Sequence, residues 1–176
     1  MPLEKRLSGL EAAPASLVDD ARRGDRGAFG RLYDQYARMV HGVLLARVPR
    51  SEVDDLMQDV FLAALRQVAS LRNEEAFGGW LAMIARNLAI DYHRRTPKTS
   101  EVDETMLRQN APSPEAVAVM GAIHSLPDAY RETLTLRLVE GLTGPEIAGH
   151  TGLTPDSVRV NLHRGMKMLR ERLEGK

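Results

Sequence analysis

The 176-residue chain contains no cysteine, which excludes disulfides, a thiol redox switch and cysteine-ligated zinc, zinc fingers included. Its five histidines, His41, His93, His124, His150 and His163, fall at no metal-ligand spacing, so no metal or other cofactor is expected. No apolar run approaches the roughly 18 residues of a membrane span, and Met1-Pro2-Leu3-Glu4-Lys5-Arg6 lacks the apolar segment of a signal peptide. These absences predict a cytoplasmic protein with no membrane insertion. Nowhere do apolar and polar residues alternate as they do along a half-buried strand. Net charge is missing too: 24 basic and 24 acidic residues cancel, whereas a protein that only coats DNA uses a basic excess to displace counterions. The balance is uneven along the chain. Residues 51–59 carry Glu52, Asp54, Asp55 and Asp59 with no base, and residues 156–170 carry Arg159, Arg164, Lys167 and Arg170 against Asp156. The acidic stretch suits a basic protein partner, and the basic one suits nucleic acid.

What is present is helical periodicity. Ser16-Leu17-Val18-Asp19 opens a short helix ending at Gly24, and Asp25 caps a longer one that carries Phe29, Leu32, Tyr33, Tyr36, Val40, Val43 and Leu44 and ends near Pro49. Ser51-Glu52-Val53-Asp54 is another N-terminal signature, followed by the apolar stripe Val53, Leu56, Val60, Ala64 and Val68 with the acids off it. A turn around Leu71-Arg72-Asn73-Glu74 leads to a fourth helix over about 75–95, with Trp80, Leu81, Ile84, Leu88 and Tyr92 inward. Residues 96–114, rich in proline and polar side chains, read as a flexible linker. Beyond it are helices from about 114 to 125 and from 127 to near Gly141. The fold class is therefore all-α: two small helical domains, 16–95 and 115–174, joined by a linker. No role follows for residues 1–15.

The stretch that begins at Thr143 reads as a helix-turn-helix. Thr143 and Glu146 stand three apart as a capping box requires, and Pro145 falls in the first turn, where a missing N–H costs nothing. Gly152 follows at the left-handed position, and Thr154 with Pro155 starts the second helix. Along that helix Val158, Leu162, Met166, Leu169 and Leu173 make an apolar stripe, leaving Arg159, His163, Lys167 and Arg170 on another face. Recognition helices read base edges from near their N-terminal end, which here offers Ser157, Arg159, Val160, His163 and Arg164, with Lys167 one turn on.

Two blocks narrow the function. Asp54-Asp55-Leu56-Met57-Gln58-Asp59-Val60-Phe61, followed by Phe77-Gly78-Gly79-Trp80-Leu81 through Arg86-Asn87 to Asp91-Tyr92-His93-Arg94-Arg95, resembles the second conserved region of the sigma-70 family. Leu126-Pro127, Arg131-Glu132, Leu142-Thr143, Glu146-Ile147-Ala148, Val158-Arg159 and Leu162-His163-Arg164 resemble the fourth. Short length and two regions joined directly look like the extracytoplasmic-function (ECF) group of RNA polymerase sigma factors. The resemblance implies a non-enzymatic subunit that binds core RNA polymerase at its beta-prime clamp through Asp54, Asp55, Gln58 and Asp59. It also implies capture of the opened minus-ten strand by the second region, where Leu71, Arg72, Arg86, Asn87, Arg94 and Arg95 are the candidate contacts. The minus-thirty-five duplex would be read by the recognition helix, and an anti-sigma protein would be a further partner. Val160, Asn161, Gly165 and Met166 depart from the family's commoner pattern, with Gly165 replacing a better helix former. The competing reading is a one-component helix-turn-helix regulator that dimerises on a palindromic operator without polymerase.

Overall fold

The computed structural model describes residues 15–96 and 114–175, so most of the expected linker and the N-terminal extension lie outside the described residues. Among the described residues eight α-helices follow one another: α1 Ala15–Arg22, α2 Arg26–Leu45, α3 Arg50–Gln67, α4 Phe77–Arg95, α5 Pro114–His124, α6 Asp128–Leu138, α7 Gly144–Thr151 and α8 Pro155–Leu173. Two single 3₁₀ turns, Val68–Ser70 and Glu74–Ala76, bridge α3 and α4. No strand occurs among the described residues.

Local signals in the sequence set most boundaries. The Asp25 carboxylate accepts from the Ala28 N–H and starts α2. Thr143 and Glu146 form the reciprocal capping box of α7, Gly152 closes it at φ 74°, and the Thr154 hydroxyl accepts from the Ser157 N–H to open α8. Other boundaries move. α2 stops at Leu45, and α3 begins at Arg50 behind an extended Pro49 with no side-chain cap, so Ser51 is a first-turn residue and not the cap. A 3₁₀ turn capped by Asn73 precedes α4, which therefore starts at Phe77, and α6 ends at Leu138, short of Gly141.

The expected stripes of the first half pack: Val53, Val60, Ala64 and Val68 are buried beside Leu32, Tyr36, Val40, Val43, Leu44, Phe77 and Leu81. Trp80 lies partly buried against them, its ring 5.6 Å from that of Phe77. The stripe of α8 is different from the expected one. Met166 and Leu173 are exposed, while Val158, Gly165 and Leu169 are buried. A Cβ at Gly165 would stand 3.1 Å from Leu134 Cδ1 and 3.3 Å from Tyr130 Cβ, so the residue that reads as a weak helix former lies where α8 packs closely on α6. Around this contact Ile123, Leu126, Leu134 and Leu169 form a small second core.

The two halves do not stand apart. Leu136, Leu142, Ile147, Ala148 and Val158 from the second half join the core of the first. α2 packs on α6, and α4 on α7.

Candidate polymerase and nucleic-acid interfaces

The apolar stripe of α3 faces the core, and the residues between its members must therefore point outward. Asp54, Asp55, Gln58 and Asp59 are all exposed on that outer face. None of the three acids is in a salt bridge among the described residues, so the patch presents a concentrated negative field able to steer a basic partner.

Along α4 the same logic separates two faces. Leu81, Ala82, Ala85 and Ala89 are buried, and Met83, Asn87, Ile90 and Arg94 line up on the exposed side. This outer stripe combines apolar surface, an amide and a cation, the set needed to stack a base and hold a phosphate. Arg94 keeps a loose 3.6 Å pair with Asp91, and Arg95 extends the positive end of the helix. Arg72 is exposed in the preceding turn.

Two of the sequence-derived contacts are placed otherwise. Leu71 is only 9% exposed and anchors the turn in the core. Arg86 turns toward the second half, where its Nε and Nη2 donate to the two oxygens of Glu132 at 3.1 and 2.6 Å. Arg47 reaches the same carboxylate at 2.6 Å. Burial pushes the Glu132 carboxyl up, but the Arg86 hydrogen bonds and the Arg47 charge outweigh it and hold the group below its ordinary value, ionised.

The second half offers a basic helix face. Arg159, Val160, His163, Arg164 and Lys167 are exposed on α8 and, with Met166 and Arg170, line two shallow furrows along it. Ser157 sits in the first turn, its hydroxyl oxygen accepting from Thr154 at 2.8 Å. Arg159 pairs with Asp156 at 3.3 Å on open surface, a contact that a phosphate can displace at little cost. Asn161, by contrast, is turned inward and donates to the Thr133 hydroxyl.

With these surfaces defined, comparison with known proteins is informative. The Sigma-70 region 2 profile matches residues 32–99, and the Sigma-70 region 4 profile matches 116–169. The ECF RNA polymerase sigma-E factor of Haemophilus influenzae is 32% identical, over 90% of this chain and 94% of that protein. This chain belongs to the sigma-70 family, in its ECF group. It is a sigma factor directing transcription initiation. Bacillus subtilis RNA polymerase sigma factor SigZ is 32% identical to this sigma factor, over 82% of this chain and 86% of that one. Streptomyces coelicolor ECF RNA polymerase sigma factor BldN is 33% identical, over 87% of this chain and 63% of its own length. The fold of the sigma factor is also that of CnrH, solved in complex with the cytosolic domain of CnrY, with a TM-score of 0.66, 24% identity and coverage of 92% and 97% of the two chains.

Sequence reasoning missed the contact between halves. Glu132 stood in a recognisable motif, yet nothing in its spacing pointed to Arg47 and Arg86, which are 85 and 46 positions away. His41 and Glu140, 99 positions apart, were missed for the same reason; their 2.6 Å hydrogen bond raises the histidine's pKa despite its partial burial.

Proposed function

We propose that this sigma factor docks on the beta-prime clamp of core RNA polymerase through Asp54, Asp55, Gln58 and Asp59 and reads its promoter with two separate surfaces. Asn87, Arg94, Arg95 and Arg72 take the opened minus-ten strand, while Ser157, Arg159, Val160, His163, Arg164 and Lys167 meet the minus-thirty-five duplex. Leu71 holds the turn that presents Arg72, and Arg86 joins the set only when Glu132 releases it. The subunit is not an enzyme: it acts in the cytoplasm, leaves covalent chemistry to polymerase, and is restrained by an anti-sigma protein.

The observation that carries this reading is the acidic face of α3, where three carboxylates and an amide stand exposed with no basic partner in salt-bridge range among the described residues. Exposed like charges on one helix face oppose folding slightly, so their use is outward, toward a positively charged surface. The neutral total charge agrees with a subunit that binds promoter DNA weakly until polymerase joins it.

The test is binding of labelled protein to bacterial core RNA polymerase, comparing the wild type with a Gln58→Ala, Asp59→Arg double variant of equal helicity. A loss of about tenfold or more in the variant, worth about 1.4 kcal/mol, is expected. Equal binding by both, or none by the wild type, overturns the assignment.

A further inference from the structure

The turn that presents Arg72 carries the wrong charge for its task. Between the buried Leu71 and Phe77 the chain runs Arg72-Asn73-Glu74-Glu75-Ala76, one cation against two carboxylates. A DNA strand carries a negative charge on every phosphate, so a free carboxylate beside it repels the ligand that Arg72 attracts. Asn73 fixes the local geometry: its side-chain oxygen accepts from the Glu75 N–H at 3.0 Å, and the 3₁₀ turn Glu74–Ala76 follows. Glu75 stays exposed. Glu74 is drawn away, partly buried against Arg22, whose Nη1 donates to its Oε1 at 3.1 Å across 52 positions of sequence.

α1 holds that arginine in place. Val18 and Ala21 are buried in the core of the first half, and α1 packs on both 3₁₀ turns between α3 and α4. Arg22, the last residue of α1, lies partly buried, and its ion pairs run through Nη1, to Glu74 and, at 3.7 Å, to Asp19. Its Nε is enclosed with no hydrogen-bond partner among the described residues. An enclosed donor without an acceptor is a cost to folding, and a partly exposed ion pair returns little of it. The arrangement therefore does more for the position of the Glu74 charge than for stability. Arg23, the next residue, is exposed and pairs with Asp19 and Asp20 of α1 itself.

We propose that Arg22 is a charge-positioning residue for minus-ten recognition: it draws the Glu74 carboxylate back against α1, so that Arg72 meets the opened strand beside one carboxylate and not two. The proposal rests on the minus-ten reading above. Without Arg22, Glu74 is free to repel the strand or to pair with Arg72 two positions away, and either outcome weakens capture.

The test uses holoenzyme assembled from core RNA polymerase and the full chain. Its probe is a promoter that the wild-type holoenzyme selects from a random duplex library, presented with the minus-ten region already unpaired so that strand capture is measured apart from melting. Arg22→Ala should weaken capture about tenfold at low salt, the effect of one like charge close to a phosphate, and the deficit should shrink as salt rises. Glu74→Gln alone should capture as well as the wild type, and added to Arg22→Ala it should restore capture. Arg23→Ala, which loses the same charge one position on, should leave capture unchanged. A purely structural brace gives the opposite pattern, since either single change would break it and the double variant would not recover. Normal capture by Arg22→Ala, or no recovery in the double variant, overturns the proposal and leaves the minus-ten reading standing, provided that Arg72→Ala is defective. If Arg72→Ala captures normally, or the wild type captures no strand, the minus-ten reading falls and takes the proposal with it.

Discussion

Gly165→Ala puts two opposing effects into one methyl group. Replacing a mid-helix glycine with alanine ordinarily stabilises by about 1 kcal/mol. In α8 the added Cβ would lie 3.1 Å from Leu134 Cδ1, 3.2 Å from its Cγ and 3.3 Å from Tyr130 Cβ, inside the roughly 3.5–4.0 Å optimum for carbon contacts. Leu134 has no exposed surface and points from α6 into the small core it shares with Ile123 of α5 and Leu169 of α8, so it has nowhere to retreat. Overpacking of this kind costs about 1–3 kcal/mol, which leaves a net loss of up to about 2 kcal/mol after the helix gain. Urea denaturation followed by far-UV circular dichroism measures it. In a Leu134→Ala background, itself about 2–5 kcal/mol less stable, the obstruction is gone, and the same Gly165→Ala change should stabilise. That sign reversal is the signature of direct contact in a double-mutant cycle. Stabilisation by Gly165→Ala in the native background would refute the packing argument and return Gly165 to the role of a mere weak point in the helix.

Two further outcomes concern the cap and the buried carboxylate. Thr143→Ala removes the side chain that accepts from the Glu146 N–H, and should lower stability by about 1 kcal/mol, read as a melting temperature about 2–4 °C lower. Glu132 gives an acid dependence. Its carboxyl is held below its ordinary value of 4.5, so the unfolded chain binds the proton more readily than the folded one. The stabilisation is therefore present above that value and is lost as pH falls through the lower folded pKa. Wild type should lose stability on acidification more steeply than Glu132→Gln in paired denaturation series, and parallel curves would contradict the Arg47–Glu132–Arg86 arrangement.

The sequence by itself determined what depends on near neighbours. Capping at Asp25, Thr143 and Thr154, the left-handed turn at Gly152 and the outward acids of α3 all involve groups within a few residues of each other, where spacing dictates geometry. The two conserved blocks, read in order, reached the family as well. Boundaries at Pro49 and Phe77 were less legible, because a proline can end one helix or start the next and a 3₁₀ turn has no distinct periodicity. Only the tertiary structure decided which face of α8 is buried, why Gly165 is there, and that Arg86 is taken up by Glu132. Those outcomes depend on what an opposing helix brings to within a few ångströms. A one-dimensional pattern records which residues share a face, but not which distant residue meets it.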